Sequence, residues 1–406
     1  MMQKIVYIIL ILMGNALHAQ NYISLRQALD SAAANNTKIK AVNEMQSYYE
    51  SIQKRFPFLE NTTLEGEYGQ FNTDYSDLKV NIKQNFTNPA QSILKLKIQS
   101  KAAELAKNQS SKSKNEVVIE VARLFVEIRF LTTWQQSLIA QDSLLNRWIE
   151  REQQKFKKGE NSKVELGMAK IQKMKFSQMI QENELKLFES LLLFNQWIKC
   201  QSFYEPNPSE SIEYTAFSID IIQLDDPYVH LAKSQVNMAK LEQKLAKSQW
   251  LPNLYAGYSN TSFRGFMNIE GTENYFNLKD RFHSFQLGLN FNFLDYNTHR
   301  AIKESGYKSK IAQYESDWVV QERTLMYQNL RHQLDSYKKY WHDLEQNYAG
   351  ETRETEILIQ KRFYLGEISY MEFILFQNQL LEAKKNLYEA KRNYESTLLK
   401  TFLFHK

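Results

Sequence analysis

Chain breakers are scarce in this sequence. Glycine supplies 12 and proline 6 of the 406 residues, about 3% and 1.5% against typical usage of roughly 7% and 5%. That scarcity excludes a loop-rich chain and favours long helices. No glycine stands between Gly69 and Gly159 and no proline between Pro89 and Pro206, so one unusually long helix can run through that interval. The single cysteine, Cys200, excludes an intrachain disulfide, which leaves packing or assembly to hold the fold. After residue 20 no stretch is apolar enough for a spanning helix, so any membrane crossing has to be made by a β-barrel.

Charge of one sign is missing too. Acids and bases alternate along the chain, and the formal net charge of +5 falls to +4 once Lys4 is removed with the leader described below. These charges read as solvated helix faces, with no nucleic-acid surface. The seven histidines and eleven methionines are dispersed, with no His-x-x-His, Cys-x-x-Cys or Met-rich tract, so no metal site is expected. No Gly-x-x-x-x-Gly-Lys phosphate loop or Gly-x-Ser-x-Gly turn is present, and no carboxylate pair stands out. The expectation is a protein without catalytic residues or cofactors.

Lys4, the apolar run Ile5 to Met13 and the small-residue stretch ending Ala16-Leu-His-Ala19 read as a secretory signal peptide over residues 1–20. The run is nine residues, and a retained spanning anchor would need roughly 20.

A repeat organises the remainder. Phe156-Lys-Lys-Gly159-Glu160-Asn-Ser162-Lys-Val-Glu165 returns as Phe363-Tyr-Leu-Gly366-Glu367-Ile-Ser369-Tyr-Met-Glu372, displaced by 207 residues with five of ten positions identical. The same displacement carries Leu78, Val80, Ile82, Gln84 and Phe86 onto Phe285, Leu287, Leu289, Phe291 and Phe293. The chain is thus read as two structural repeats, 21–215 and 216–406, with one element order. Each holds a helix (Asn36–Asn61; Asp226–Trp250) and two strands (Leu64–Phe71 and Leu78–Phe86; Asn253–Ser262 and Phe285–Phe293). A long helix (Ala90–Lys157; Thr298–Leu365) and a returning helix (Glu160–Lys199; Glu367–Phe404) complete each repeat.

In Leu78–Phe86 every second residue is polar, and Phe285–Phe293 repeats the pattern with Gly288 at one of those positions, which suits a strand with one apolar and one wet face. Nine residues is near the roughly 9 to 11 of a tilted membrane strand. A soluble half-buried hairpin fits the alternation equally well. Four strands cannot close a barrel, whereas three chains would supply twelve. Tyr68, Phe71, Tyr75, Tyr258, Phe263, Tyr275 and Phe276 lie near the strand ends, either as interfacial girdles or as aromatics packing on one another. On the helices, Val117, Val121, Leu124, Ile128 and Leu131 form a heptad-like stripe. So do Leu330, Leu334, Tyr337, Trp341, Leu344 and Tyr348, and Leu380, Ala383, Leu387, Ala390, Tyr394 and Thr397.

With this duplicated plan, the Phe-x-x-Gly-x-x-Ser pair, Ser24-Leu-Arg-Gln-Ala-Leu-Asp30 and Trp250-Leu-Pro252-Asn-Leu254, the chain resembles the TolC family of outer-membrane efflux channels. Phe293 to Ala301 is similar to the family's strand-to-helix passage, with Tyr296-Asn297 in place of its usual glycine pair. Tyr68-Gly-Gln-Phe-Asn72, Gln84-Asn-Phe86 and Pro89 resemble the branch tied to heavy-metal pumps of the resistance-nodulation-division class.

The resemblance implies a mainly α fold with a small β part: long coiled-coil hairpins forming a periplasmic tunnel, and four strands per chain in a trimeric twelve-stranded barrel. It implies a homotrimer in outer-membrane lipid, served by a periplasmic adaptor and an inner-membrane resistance-nodulation-division or ABC pump, passively conducting metal cations or drugs. By resemblance, Phe156, Gly159, Glu160, Phe363, Gly366 and Glu367 meet the adaptor. Glu165 and Glu372 occupy positions where the family often carries pore-facing acids. They are read either as cation-attracting rings or as ordinary acids at helix starts. Some members latch the gate with an arginine where this chain has Ile368. Two rival readings are an outer-membrane duct for type I protein secretion and a soluble periplasmic coiled-coil scaffold.

Overall fold

The computed structural model describes residues 21–54, 57–71, 74–159, 163–200, 202–210, 212, 225–291, 295–347 and 353–403. The expected signal peptide, Glu160 and Tyr348 lie outside them. The chain is mainly helical with a smaller strand part. In order, β1 (Asn21–Ile23), α1 (Leu25–Asn35) and α2 (Thr37–Ile52) precede the pair β2 (Leu59–Gly69) and β3 (Asp77–Phe86). Then follow α3 (Pro89–Lys157), α4 (Lys163–Ile198), β4 (Tyr204–Pro206) and α5 (Pro227–Ser248). The remainder is β5 (Asn253–Ser262), β6 (Gly265–Ile269), β7 (Thr272–Phe276), β8 (Arg281–Asn290), α6 (Tyr296–Asn347), α7 (Arg353–Leu365) and α8 (Tyr370–Leu403).

Helix ends follow local chemistry. Ser24 caps α1 in a reciprocal box with Gln27, its Oγ accepting from the Gln27 amide at 3.2 Å while its own amide donates to Gln27 Oε1 at 3.1 Å. Asn36 divides α1 from α2: its Oδ1 accepts from the Lys38 amide at 2.9 Å and its Nδ2 donates to the Trp197 carbonyl at 2.9 Å. The first helix was expected to reach Asn61 but stops at Ile52, because Pro57 disfavours helix before it and Thr62-Thr63-Leu64 favours strand. The 69 residues of α3 form one unbroken helix, about 100 Å long at 1.5 Å per residue. Of the matching second helix, expected from Thr298 to Leu365, the described parts are α6 up to Asn347 and α7 from Arg353, and residues 348–352 between them lie outside the described residues.

By internal packing the chain divides into two units, with boundaries inside α2, α3 and α6. One unit comprises Val42–Ser110 and Pro227–Gln321 and contains a four-stranded antiparallel sheet of order β2-β3-β5-β8. Its cross-strand register sorts the faces. Leu64 pairs with Ile82, Ile82 with Tyr258 and Tyr258 with Phe285, and in the next row Gln84 pairs with Ala256 and Ala256 with Leu287. This apolar face is open: Leu64 is 71%, Phe285 83% and Leu287 86% exposed.

The opposite face is polar. Glu65, Asn81, Ser259 and Ser284 form one row, with Ser259 Oγ donating to Asn81 Oδ1 at 2.6 Å. Lys83 places its ammonium 4.2 Å from the Tyr255 ring centre, and that ring lies over Gly288. β8 was expected at Phe285–Phe293 but runs from Arg281 to Asn290, because β5 offers ten residues to pair with and the ladder ends where its partner does. The hairpin β6–β7 was not foreseen. Several of the expected girdle aromatics pack on one another there: Tyr75 meets Tyr275, and Phe263 and Phe276 both meet Phe282. No helix among the described residues is long and apolar enough to cross a membrane.

The other unit, comprising described residues of 21–41, 111–226 and 322–403, holds two apolar clusters. The α3 stripe Val117, Val121, Leu124, Ile128 and Leu131 is fully buried, with Phe125 against Phe194 at 6.3 Å. In the second half, Leu330, Leu380, Ala390 and Thr397 are buried, whereas Leu334, Tyr337, Trp341 and Leu344 are only half covered. Trp341 stacks on Tyr394 at 5.3 Å. The strand β1 pairs in parallel with β4, and the Glu210 carboxylate accepts from the Leu25 amide at 3.0 Å. Truncating Phe125→Ala should cost about 3–5 kcal/mol and lower the thermal midpoint followed by helical circular dichroism. An unchanged midpoint would show that this cluster does not hold the unit.

Candidate functional site: the two glycine turns

Both repeated segments end a helix with glycine in the left-handed region, Gly159 at φ 74° and Gly366 at φ 77°. At Gly366 the closure is a Schellman motif. The Gly366 amide donates to the Phe363 carbonyl at 3.1 Å and the Glu367 amide to the Arg362 carbonyl at 2.9 Å, satisfying two carbonyls left over at the end of α7. The Gly159 amide likewise donates to the Phe156 carbonyl at 3.0 Å. A Cβ at either glycine would meet empty space, so a substitution there is opposed by backbone conformation and not by crowding.

One apolar cluster ties the segments together. Trp148 on α3, Ala169 and Phe176 on α4, Ile359 and Phe363 on α7, and Tyr370 and Phe373 on α8 are all buried in it. The Trp148 ring meets Phe373 edge-on at 4.0 Å, and Phe363 stacks on Phe373 at 4.3 Å. Arg151 reaches from α3 to donate to the Tyr364 carbonyl at 3.3 Å, its guanidinium 5.1 Å from the Tyr364 ring centre. This arrangement separates the expected docking residues. Phe156, Gly159, Gly366 and Glu367 face solvent, whereas Phe363 is only 5% exposed and forms the floor beneath its turn. Ile368, where some TolC members carry a latching arginine, is half-buried against the same cluster. Trp148 and Arg151 on α3 and Phe373 on α8 carry no local signature in the sequence, because their contacts come from helices distant along the chain.

The two acids sit at helix starts. Glu165 lies in the first turn of α4 and is half-buried. Glu372 lies in the first turn of α8, exposed, in a reciprocal capping box. Its Oε2 accepts from the Ser369 amide at 2.8 Å and Ser369 Oγ at 2.9 Å, while the Ser369 Oγ accepts from the Glu372 amide at 3.3 Å. The bond from the Ser369 amide, then that from its hydroxyl, hold the Glu372 carboxyl below the usual carboxylate range, so it stays ionised at neutral pH. Farther along, Glu395 is buried against Arg129 at 3.3 Å, and Arg392 pairs with Glu127 at 3.5 Å. Burial pushes the Glu395 carboxyl up, against the opposing pull of Arg129 and Lys391. Among the described residues no cluster of three or more His, Cys, Asp or Glu side chains could hold a metal ion.

No family model matches the chain, and no curated protein matches it. Solved structures do. An outer-membrane protein of Vibrio cholerae, VceC, aligns over 94% of this chain and 95% of its own at 10% identity with a TM-score of 0.74. A membrane protein of Pseudomonas aeruginosa aligns over 94% and 89% at 12% identity and 0.77. The outer-membrane channel CmeC of Campylobacter jejuni aligns over 94% and 85% at 12% identity and 0.72. At these identities the likeness shows the fold: long helices with a smaller strand part, as the TolC resemblance implies for a single chain.

Glu372→Ala should lower the hydrogen-exchange protection of amides 370–373 at neutral pH. In the wild type the same protection is present at neutral pH and lost as acid takes the carboxyl through its lowered value. Glu372→Gln should keep protection at every pH, since glutamine completes the same box. Equal protection in all three proteins would remove the cap from the account.

Proposed function

We propose that this chain is the duct subunit of a TolC-family outer-membrane efflux channel, three copies closing a twelve-stranded barrel. The observation that carries the reading is the sheet: four strands with one apolar face turned to solvent, a polar face behind, and edge strands β2 and β8 each with one neighbour among the described residues. In hydrocarbon an unpaired edge costs several kcal/mol per group, so an open sheet cannot span; it has to be closed by further copies. Ten residues at about 3.3 Å, tilted by about 40°, span roughly 25 Å, the height of a barrel's apolar band. A soluble scaffold gives no reason for Phe285 and Leu287 to stand in water. Support also comes from the fold shared with an outer-membrane channel and an outer-membrane protein.

The two repeats, 21–215 and 216–406, then supply equivalent hairpins to one periplasmic tunnel, and the half-covered stripe on α6 becomes a contact between subunits. The turns at Gly159 and Gly366 meet the periplasmic adaptor through Phe156, Glu160 and Glu367, with Phe363 holding the second turn in shape. Glu165 and Glu372 form acidic rings that favour cations, and the cap on Glu372 fixes its charge in place. Energy and choice of cargo reside in the inner-membrane pump, of the resistance-nodulation-division class on the resemblance stated above.

Purified full-length mature chain should form cation-preferring pores in planar bilayers. Glu165→Gln combined with Glu372→Gln should lower that preference while leaving the helix cap intact; unchanged selectivity would remove the rings, and an absence of pores would refute the duct. Gly366→Val should abolish pump-dependent resistance in cells while trimers still accumulate in the membrane, since a β-branched residue at φ 77° disrupts the turn. Normal resistance would exclude the turn from docking.

A further inference from the structure

The two connections at the far end of the sheet are unequal. Residues 70–76 join β2 to β3, but residues 263–280 join β5 to β8 and contain the β6–β7 hairpin. The hairpin is stiff. Its turn places Glu270 at φ 51° and Gly271 at φ 86°, the paired positive angles of a two-residue turn that matches strand twist. Its root is fastened to β3: buried Asp77 accepts on Oδ1 from Ser262 Oγ at 2.9 Å and from the Arg264 amide at 2.7 Å. The Arg264 guanidinium lies 5.2 Å from the Tyr75 ring centre, and Tyr75 meets Tyr275 of β7 edge-on at 6.4 Å.

The register gives the hairpin a side. Phe282 pairs with Thr261 and Thr261 with Lys79, a row on the polar face of the sheet. Phe263, just before the hairpin, and Phe276, its last residue, both pack on the Phe282 ring, at 4.9 and 5.4 Å. The hairpin's root is therefore drawn toward the polar face, away from the open apolar one. Its apex carries Asn268, Glu270 and Glu273, all exposed.

We infer that β6–β7 is a fixed lip that leans over the polar side and narrows the outer mouth of the duct, one lip from each of three chains. This rests on the channel reading, in which the polar face lines the lumen. Nothing in the first repeat supplies a counterpart among the described residues, so the mouth carries three lips on twelve strands and its rim alternates between covered and open sectors.

The test compares unitary conductance in planar bilayers for the full chain and for a variant with Gly265–Phe276 replaced by Asn-Gly. Removing a constriction in series with a wide pore should raise conductance about twofold and admit larger neutral polymers. A second arm leaves the hairpin intact: Glu273→Cys in a Cys200→Ser background, treated with a bulky thiol reagent from the outer side, should lose conductance. Channels of unchanged conductance in the first arm, or insensitive to the reagent in the second, would overturn the lip while leaving the duct standing. Failure of the full chain to open any pore would instead refute the duct, and the lip with it.

Discussion

The pairing of backbone N–H and C=O groups governs this molecule more than any side-chain contact does. Water can satisfy an open sheet edge but hydrocarbon cannot. In a membrane a sheet of four apolar-faced strands with two edges would therefore be incomplete alone, and the duct proposed above rests on that constraint. The face that would be a liability for a soluble monomer would become the lipid-facing wall in the proposed barrel. Leu334, Tyr337, Trp341 and Leu344 of α6 are only half covered within one chain, and in the trimer proposed above a neighbouring copy would cover them further.

Much of this was legible in the residues because the periods are clean. Alternation over Leu78–Phe86 located β3 to within one residue, and the glycine and proline gaps located α3 almost to its ends. The repeated Phe-x-x-Gly marked both turns, whose left-handed glycines the structure shows. What could not be read depended on partners distant in sequence. The ends of β8 are set by the length of β5, and the burial of Phe363 by Trp148 and Phe373 from other helices. The β6–β7 hairpin, with its Glu-Gly turn, lacks the usual Asn-Gly or Asp-Gly signal. Its strands of five residues each were too short to stand out beside their ten-residue neighbours.

The glycine turns, proposed above as docking tips, are exposed without being loose. Their carbonyls are closed by backbone amides, and at the Gly366 turn the floor is a buried aromatic stack and Arg151 from a third helix seals the end of α7. Exposure of Phe156, Gly159, Gly366 and Glu367 is thus combined with a fixed backbone, which lowers the ordering cost of binding a partner. Glu372 serves the same end: one carboxylate both starts α8 and carries the charge proposed for the ring, so position and ionisation are set by the same two bonds.

Tyr255 and Gly288 are joined in a way that outlasts any single sequence. A β-carbon at position 288 would sit 2.3 Å from the phenol of Tyr255, so no larger residue fits while that ring stays where it is. The two sites can drift only in concert, one growing as the other shrinks. Relatives of this chain should therefore show them as a correlated pair across neighbouring strands, and the ammonium of Lys83, which rests on the same ring, should vary with them.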